Sequence, residues 1–392
     1  MSFDAVVVGA GPAGATCALD LARGGLRVAL IDRATPPRYK TCGGGIVARA
    51  VGALDVDVSG AIERSLRRLE LRLDAKSRAF GIERASAPVV MAMRAPFDAL
   101  LGDAAREAGA EVLAPCAFRG LRRVGSRFEV QTERGALEAA FVVGADGAGS
   151  RVARAAGWTG TLHTVPALES EIRVDEKTFA RFSGAARFDF GVVPDGYGWV
   201  FPKKRHLSVG CLSTRLAGDK RRSGAAGLPR YLERYLGTLG LAEPVGREDH
   251  GFVIPARPRS GRLARRGVFL VGDAAGLADP LTCEGISNAI QSGRLAARAM
   301  IESRGDGERS ARRYDDLLST TLLPELRWAR RLATPLYRYP GLRGFVFRRM
   351  GPQLCEAITD VFMGQRTYRD LLLRPVTYWR FMGALARPSV AG

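Results

Sequence analysis

The first chemistry in the chain lies in Gly9-Ala10-Gly11-Pro12-Ala13-Gly14, which follows Ala5-Val6-Val7-Val8 and precedes, after an alanine-rich stretch and Gly24-Gly25, Val28-Ala29-Leu30-Ile31-Asp32. An apolar β-branched run, a glycine-spaced turn, a helix and a second apolar run ending in an acid make one βαβ unit for a dinucleotide. Gly9 allows the tight turn, Gly11 lets the backbone approach a pyrophosphate, and Gly14 lets helix and strand pack closely. The helix N-terminus offers unpaired N–H groups and a positive dipole end to phosphates. Asp32 is expected to accept a hydrogen bond from a ribose hydroxyl. The pattern by itself does not choose between NAD, NADP and FAD.

A second glycine run, Lys40-Thr41-Cys42-Gly43-Gly44-Gly45, follows a loop stiffened by Pro36-Pro37. Three consecutive glycines cost backbone entropy, which points to a sharp turn or a close approach to something flat; a flexible surface loop is the competing reading. Further on, Tyr197, Trp199 and Phe201 alternate, so a strand would place all three rings on one face. Such a face forms an apolar wall suited to a long hydrocarbon, or else an ordinary aromatic core.

The 392 residues, 46% of them hydrophobic, can bury a sizeable core in two or three interlocked domains. The net charge is +19, but all except six of the 59 basic residues are arginines spread through the chain, and no nucleic-acid motif stands out. Nucleic acid is therefore not an expected partner; anionic lipid or a diphosphate-bearing substrate is. The six cysteines show no CxxC spacing, so no metal or iron–sulfur site is expected, and reduced thiols of a cytoplasmic protein are. Neither a secretory leader nor a spanning helix is expected, and association with the inner face of a membrane stays open.

Taken in order, parts of 47–68 read as helical, and 69–92 as strands of a second sheet. A helix runs from Met93 to Ala108, strands cover Glu111–Leu113, Phe128–Gln131 and Leu137–Val143, and 160–255 reads as all strand and turn. A buried strand leads into Gly272-Asp273, and a helix follows from Gly285 to Ser303. The tail is helical, with twelve arginines against four acids in 325–392 and interleaved aromatics that include Tyr378, Trp379 and Phe381. Such helices either lie in a lipid interface or turn the aromatics inward and leave a solvated basic back.

Three glycine-centred segments in this order make a stronger pattern than any one alone. They are the βαβ unit ending in Asp32-Arg33, then Gly144-Ala145-Asp146-Gly147, then Gly272-Asp273-Ala274-Ala275-Gly276 ahead of Pro280 and Glu284-Gly285-Ile286. Together they resemble the FAD-dependent oxidoreductases of the para-hydroxybenzoate hydroxylase type. Lys40–Gly45 and Tyr197-Gly198-Trp199-Val200-Phe201-Pro202-Lys203 narrow the resemblance to the geranylgeranyl reductase family. The fold so implied is α/β: a Rossmann-type FAD-binding domain with an inserted antiparallel β-sheet substrate domain and a helical C-terminal region. Its expected boundaries are 1–68, 93–158 and 259–304 for FAD binding, 69–92 and 159–258 for the substrate domain, and 305–392 for the tail.

The resemblance implies that Gly9, Gly11, Ala13, Gly14, Asp32, Arg33, Cys42, Gly43, Gly44, Arg94, Asp146, Gly147, Gly272, Asp273, Pro280, Gly285 and Ile286 bind FAD. Asp273 suits a ribitol hydroxyl, and the helix starting at Gly285 can aim its amides at the flavin edge that gains negative charge on reduction. Tyr197, Trp199 and Phe201 would line the prenyl tunnel. Cys283 stands where the family often has glycine, so it bears on substrate choice.

The implied reaction saturates a carbon–carbon double bond of a prenyl chain on a lipid, quinone or pigment precursor. Isolated alkenes are poor electrophiles, so a proton must accompany the hydride. Cys42 is the candidate donor, with a structural thiol as the alternative. NADPH or a reduced ferredoxin would supply electrons. The rival enzyme is a flavin monooxygenase or halogenase; halogenases carry Trp-x-Trp-x-Ile-Pro, against Tyr197, Trp199 and Phe201 here, and need a lysine facing the site, for which the sequence offers no evident candidate. A non-catalytic flavin or prenyl-lipid carrier is a third reading.

Overall fold

The computed structural model describes residues 1–160, 162–214, 224–303 and 306–373. Tyr378, Trp379, Phe381 and the arginines at 374, 380 and 387 lie outside the described residues.

The apolar runs at the N-terminus become the centre of an eight-stranded sheet. Ser2–Val8 pairs in parallel with Val28–Ile31 on one side and with Gly135–Gly144 on the other. Glu111–Leu113 and Val268–Leu270 extend this parallel core outward. Residues Ala5 to Val8 and Val28 to Ile31 are buried on both faces, which is why they read as continuous apolar runs rather than alternating ones. Helix Pro12–Arg23 crosses over between the first two strands and packs against helix Ile286–Glu302. That packing is close enough that a methyl at Gly293 would stand 2.2 Å from the Ala13 carbonyl oxygen.

A seven-stranded sheet carries the second layer. Its order is Gly246–Ile254, Val165–Arg173, Leu207–Ser213, Gly196–Pro202, Ala186–Phe190, Arg68–Arg72, Phe80–Glu83, antiparallel throughout except between Ala186–Phe190 and Arg68–Arg72. A smaller sheet joins Gly45–Val47, Val89–Ala92 and Ile62–Leu66. The fold class is the expected one, with two corrections of detail. The stretch 69–92 divides between two sheets, because Val89–Ala92 pairs with the strand that follows the second glycine run. The stretch 160–255 is not all strand: it contains helix Gly224–Leu239, whose Leu228, Leu232, Leu236 and Leu239 pack behind the seven-stranded sheet on Val200, Val209 and Cys211. Those leucines have helical spacing, a period hidden among the neighbouring strands.

Helices Gly307–Thr320, Leu322–Arg338, Pro340–Phe362 and Tyr368–Leu373 form the end of the described chain. They are aromatic on the inside: Phe347 and Tyr337 pack against Phe190, and Phe362 against Phe188. Among the described residues no helix is long and apolar enough to cross a membrane, and no group of three His, Cys, Asp or Glu side chains is placed to hold a metal ion.

Candidate active site

The two glycine runs and the aromatic strand face one cavity of about 950 Å³. That lies at the upper end of the range for small-molecule sites. At one end it is lined by Gly9, Gly11, Ala13, Asp32, Arg33, Gly147 and Asp146; at the other by Cys42, Gly43, Gly44, Tyr197, Trp199 and Phe201; Arg94, Asp273, Cys283, Gly285 and Ile286 lie between. Gly14, Gly272 and Pro280 are not in its wall. Gly14 and Gly272 act through packing. A methyl at Gly14 would meet the Gly9 carbonyl oxygen at 1.9 Å, and one at Gly272, where φ is +53°, would meet Ala13 Cβ at 3.1 Å.

The cradle end is built by hydrogen bonds around Asp32. Its Oδ2 accepts from the Ala10 amide at 2.8 Å and from the Arg38 guanidinium, while Oδ1 accepts from the Ala34 amide at 3.0 Å. Arg38 also reaches Asp98, and Asp98 takes two further bonds from Arg94 at 2.7 and 2.8 Å. Arg94 is thus a partly buried residue of the cavity wall, tied to Asp98. Burial alone would discharge it, but Asp98 and Cys42 outweigh that effect and hold the guanidinium firmly charged. Two cations therefore flank Gly11, whose missing side chain leaves room beside them: a methyl there would be 3.7 Å from the Arg94 guanidinium and 4.0 Å from that of Arg38. A glycine turn, a helix N-terminus and two guanidiniums at one spot suit a pyrophosphate. Asp146 lines the same end, yet its carboxylate is spent on capping helix Arg151–Ala155 through Ser150 Oγ and the Arg151 and Val152 amides. Asp273 sits by Gly285 at the start of helix Ile286–Glu302; burial raises its pKa against the pull of Lys40 and Arg94.

At the other end, the second glycine run lies against the aromatic strand. Methyls at Gly43 and Gly45 would approach Trp199 Nε1 and the Phe201 ring to 2.9 and 3.1 Å. Gly44 turns with φ +68°, and a methyl there would meet Lys203 Nζ at 1.9 Å. The flat object that these glycines accommodate includes the rings of the protein's own wall. Strand Gly196–Pro202 is buried on both faces: its rings point to the cavity, while Gly198 on the back leaves space for Tyr235. Trp199 lies over Gly210, and Tyr197 donates from its hydroxyl to the Thr282 carbonyl. Phe188 and Phe362 complete the wall.

Cys283 has φ +56°, a left-handed conformation that glycine adopts freely and cysteine at a cost of about 1–2 kcal/mol. Burial pushes its thiol well above the ordinary range, so it is a neutral plug between the helix start and Tyr197. The turn that carries it is pinned from the tail, where Tyr368 donates to Asp279 at 2.7 Å and Tyr337 to the Leu281 carbonyl. Arg49 pairs with Glu284 at 3.2 Å on the other side.

Three charged residues of this end escaped the sequence analysis. Lys203 is fully buried, its amine donating to the Gly43 carbonyl at 2.6 Å and the Ala92 carbonyl at 3.1 Å. Burial lowers its pKa. Lys40 lines the cavity with its amine over the Phe252 ring, a placement that the sequence did not reveal. Glu169 lines the cavity and accepts from the Cys42 amide at 2.9 Å and the Tyr39 hydroxyl at 3.2 Å. Burial, then the nearby Glu171, raises its pKa to about 7. Two acids alternating on one apolar strand, Glu169 and Glu171, were the available signal. The Cys42 thiol accepts from the Gly44 amide at 3.4 Å.

An FAD binding domain family model matches residues 2–316. The chain is 32% identical over 391 residues to a chloroplastic geranylgeranyl diphosphate reductase of Nicotiana tabacum, covering 94% of this chain and 81% of that one. It belongs to the geranylgeranyl reductase family of FAD-dependent oxidoreductases. Within that family it is also 33% identical to digeranylgeranylglycerophospholipid reductase 1 of Methanopyrus kandleri, over 86% of this chain and 91% of the relative. Its fold is that of a geranylgeranyl bacteriochlorophyll reductase-like protein from Thermoplasma acidophilum, with a TM-score of 0.76, 22% identity and coverage of 98% and 96%. Flavin-dependent halogenases share the fold as well.

Proposed function

We propose that this enzyme saturates carbon–carbon double bonds of a geranylgeranyl-type prenyl chain carried by a lipid, quinone or pigment precursor. The observation that carries this reading is the continuity of one cavity from a dinucleotide cradle to a wall of Phe188, Tyr197, Trp199, Phe201 and Phe362. A relative named for a phospholipid with prenyl chains supports the same substrate class.

FAD, when bound, supplies the hydride. Arg38, Arg94 and the Gly9–Gly14 turn would hold its pyrophosphate, Asp32 its adenosine ribose and Asp273 its ribitol. The aromatic wall holds the isoprenoid and excludes water, which would otherwise solvate the developing charge. The carbon next to the one that takes hydride needs a proton, and Cys42 is the donor, its thiol lying in the cavity wall. Glu169 lies in the same cavity wall, accepts from the Cys42 backbone amide and takes up a proton near neutral pH, which makes it the proposed reservoir from which the thiol is re-protonated. Tyr39, half exposed, links Glu169 to solvent.

Anaerobic reduced enzyme mixed with a geranylgeranyl substrate should regain oxidised-flavin absorbance; no reoxidation contradicts the reading. Mixing oxidised enzyme separately with NADPH and with reduced ferredoxin identifies the donor by which one bleaches the flavin. The placement of Lys40 in the cavity keeps a halogenase reading testable: it requires oxygen- and halide-dependent product and a loss of that product in Lys40→Met, whereas a reductase works without oxygen.

A further inference from the structure

The hairpin between helices Leu322–Arg338 and Pro340–Phe362 has two unlike sides. Its inner side is fixed to the substrate wall: Tyr337 stacks on Phe190, Phe347 packs on the same ring, and the buried Arg343 donates to the Pro194 carbonyl at 2.9 Å. Phe190 in turn contacts Tyr197. Its outer side leaves large apolar groups in the open. Tyr339, Leu342 and Phe345 are 53%, 44% and 45% exposed; Leu342 and Phe345 are three residues apart on the second helix, and Tyr339 stands in the extended turn just before it, at the hairpin tip.

Arginines supply every exposed charged position of the two helices from Arg327 to Arg348. Arg327, Arg330, Arg331, Arg338 and Arg348 are all exposed, and no acidic residue occurs between Glu325 and Glu356. Exposed single apolar residues are ordinary, but an apolar ridge inside a one-signed cationic collar is the composition of a segment that lies in a lipid interface. Arginine stems can cover the apolar boundary while their heads reach phosphate. A protein partner would need a large acidic surface with a groove for three side chains, whereas an anionic bilayer offers both features without any specific shape.

We propose that this hairpin tip docks the enzyme on an anionic bilayer, with Tyr339, Leu342 and Phe345 in the headgroup–acyl boundary and the arginine collar on lipid phosphates. Tyr337 at the hairpin stacks on Phe190, which contacts Tyr197 of the cavity wall, so docking at the tip brings that wall toward the bilayer from which a prenyl lipid would come. The purpose of the docking rests on the prenyl-lipid reading; the docking itself does not.

Flotation of FAD-loaded enzyme with phosphatidylcholine vesicles, with and without phosphatidylglycerol, tests this directly. The wild type is expected to float with the anionic vesicles only and to be released by high salt. Arg330→Gln with Arg338→Gln should weaken partitioning by about five-fold per arginine, and Leu342→Asp with Phe345→Asp should remove it. Both variants should keep bound flavin and the wild-type thermal midpoint, since the altered groups are exposed. Failure of the wild type to float, equal flotation with neutral vesicles, or unchanged flotation of both variants overturns the proposal. So does a ridge-dependent dimer in sedimentation with no vesicle binding. Because flotation does not read turnover, docking without prenyl reduction would overturn the proposed function alone.

Discussion

Gly9, Gly11 and Gly14 form one glycine run on the cavity and Gly43, Gly44 and Gly45 form the other, yet different groups forbid a side chain in each. In the first, the obstacles at Gly9 and Gly14 are backbone: the Ala145 carbonyl at 2.4 Å and the Gly9 carbonyl at 1.9 Å. In the second they are chiefly side chains from the far sheet, Trp199, Phe201 and Lys203, joined at Gly44 by the Ala92 carbonyl at 2.2 Å. The first loop is a rigid holder closed by main-chain atoms, its own Gly9 carbonyl and the Ala145 carbonyl that follows strand Gly135–Gly144. The second is a seam between holder and substrate chamber, set by residues more than a hundred positions away. Damage to the first should release cofactor, and damage to the second should spare cofactor and impair substrate chemistry.

The largest effect is expected from Gly14→Ala. Its new methyl overlaps backbone that cannot move aside, at a cost of about 1–3 kcal/mol, and purified protein should lose its yellow flavin; full flavin occupancy would remove the backbone argument. Trp199→Ala comes next. Loss of a large ring contact, about 1.5–3 kcal/mol, should lower kcat/KM for prenyl substrate by roughly 10–100-fold while flavin content and flavin reduction by donor stay near wild type. Equal loss of both would take Trp199 out of the substrate chamber.

Glu169→Gln should act through pH. The folded-state pKa of about 7 lies above the ordinary value of 4.5, so the folded protein keeps this proton longer than the unfolded chain does. Stability from this group is complete below the ordinary value and falls as pH rises through about 7. Proton supply falls over the same upper range. Wild-type turnover should therefore decline above about pH 7, and the glutamine variant should be slower at low pH and lack that break. An unchanged break would assign it elsewhere. The smallest effect is that of Cys283→Gly, which relieves the left-handed strain of about 1–2 kcal/mol but loses a buried thiol. Its thermal midpoint should move little, while the range of chain branching accepted widens; a narrower range would contradict a gating role for the thiol.

The contrast between the two loops also explains what could be read in advance. The βαβ unit was legible because its glycine spacing, apolar runs and terminal acid all fall between Ala5 and Asp32, although the Ala145 carbonyl also crowds Gly9. The alternation of Tyr197, Trp199 and Phe201 was legible as one face of a strand. Arg94 was expected beside the cofactor from the resemblance alone, and its ion pair with Asp98 is visible only in the fold. Lys203, Lys40 and Glu169 were hidden because their roles arise only when Gly196–Pro202 and Val165–Arg173, each paired with Leu207–Ser213, come against the Cys42 loop. The helix Gly224–Leu239 was masked for a similar reason, its leucines serving the back of a sheet whose strands dominate the local pattern. Cys283 was noticed as a departure, but only its backbone angle reveals what the departure costs.

The central claim is that holder and chamber together reduce a prenyl chain. Its most direct test is anaerobic incubation of dithionite-reduced enzyme with geranylgeranyl-bearing substrates, followed by mass spectrometry. Products heavier by successive pairs of hydrogen atoms, formed without oxygen and lost in Trp199→Ala, are the predicted result. Unchanged substrate, or product that appears only with oxygen and gains an oxygen atom, would contradict it.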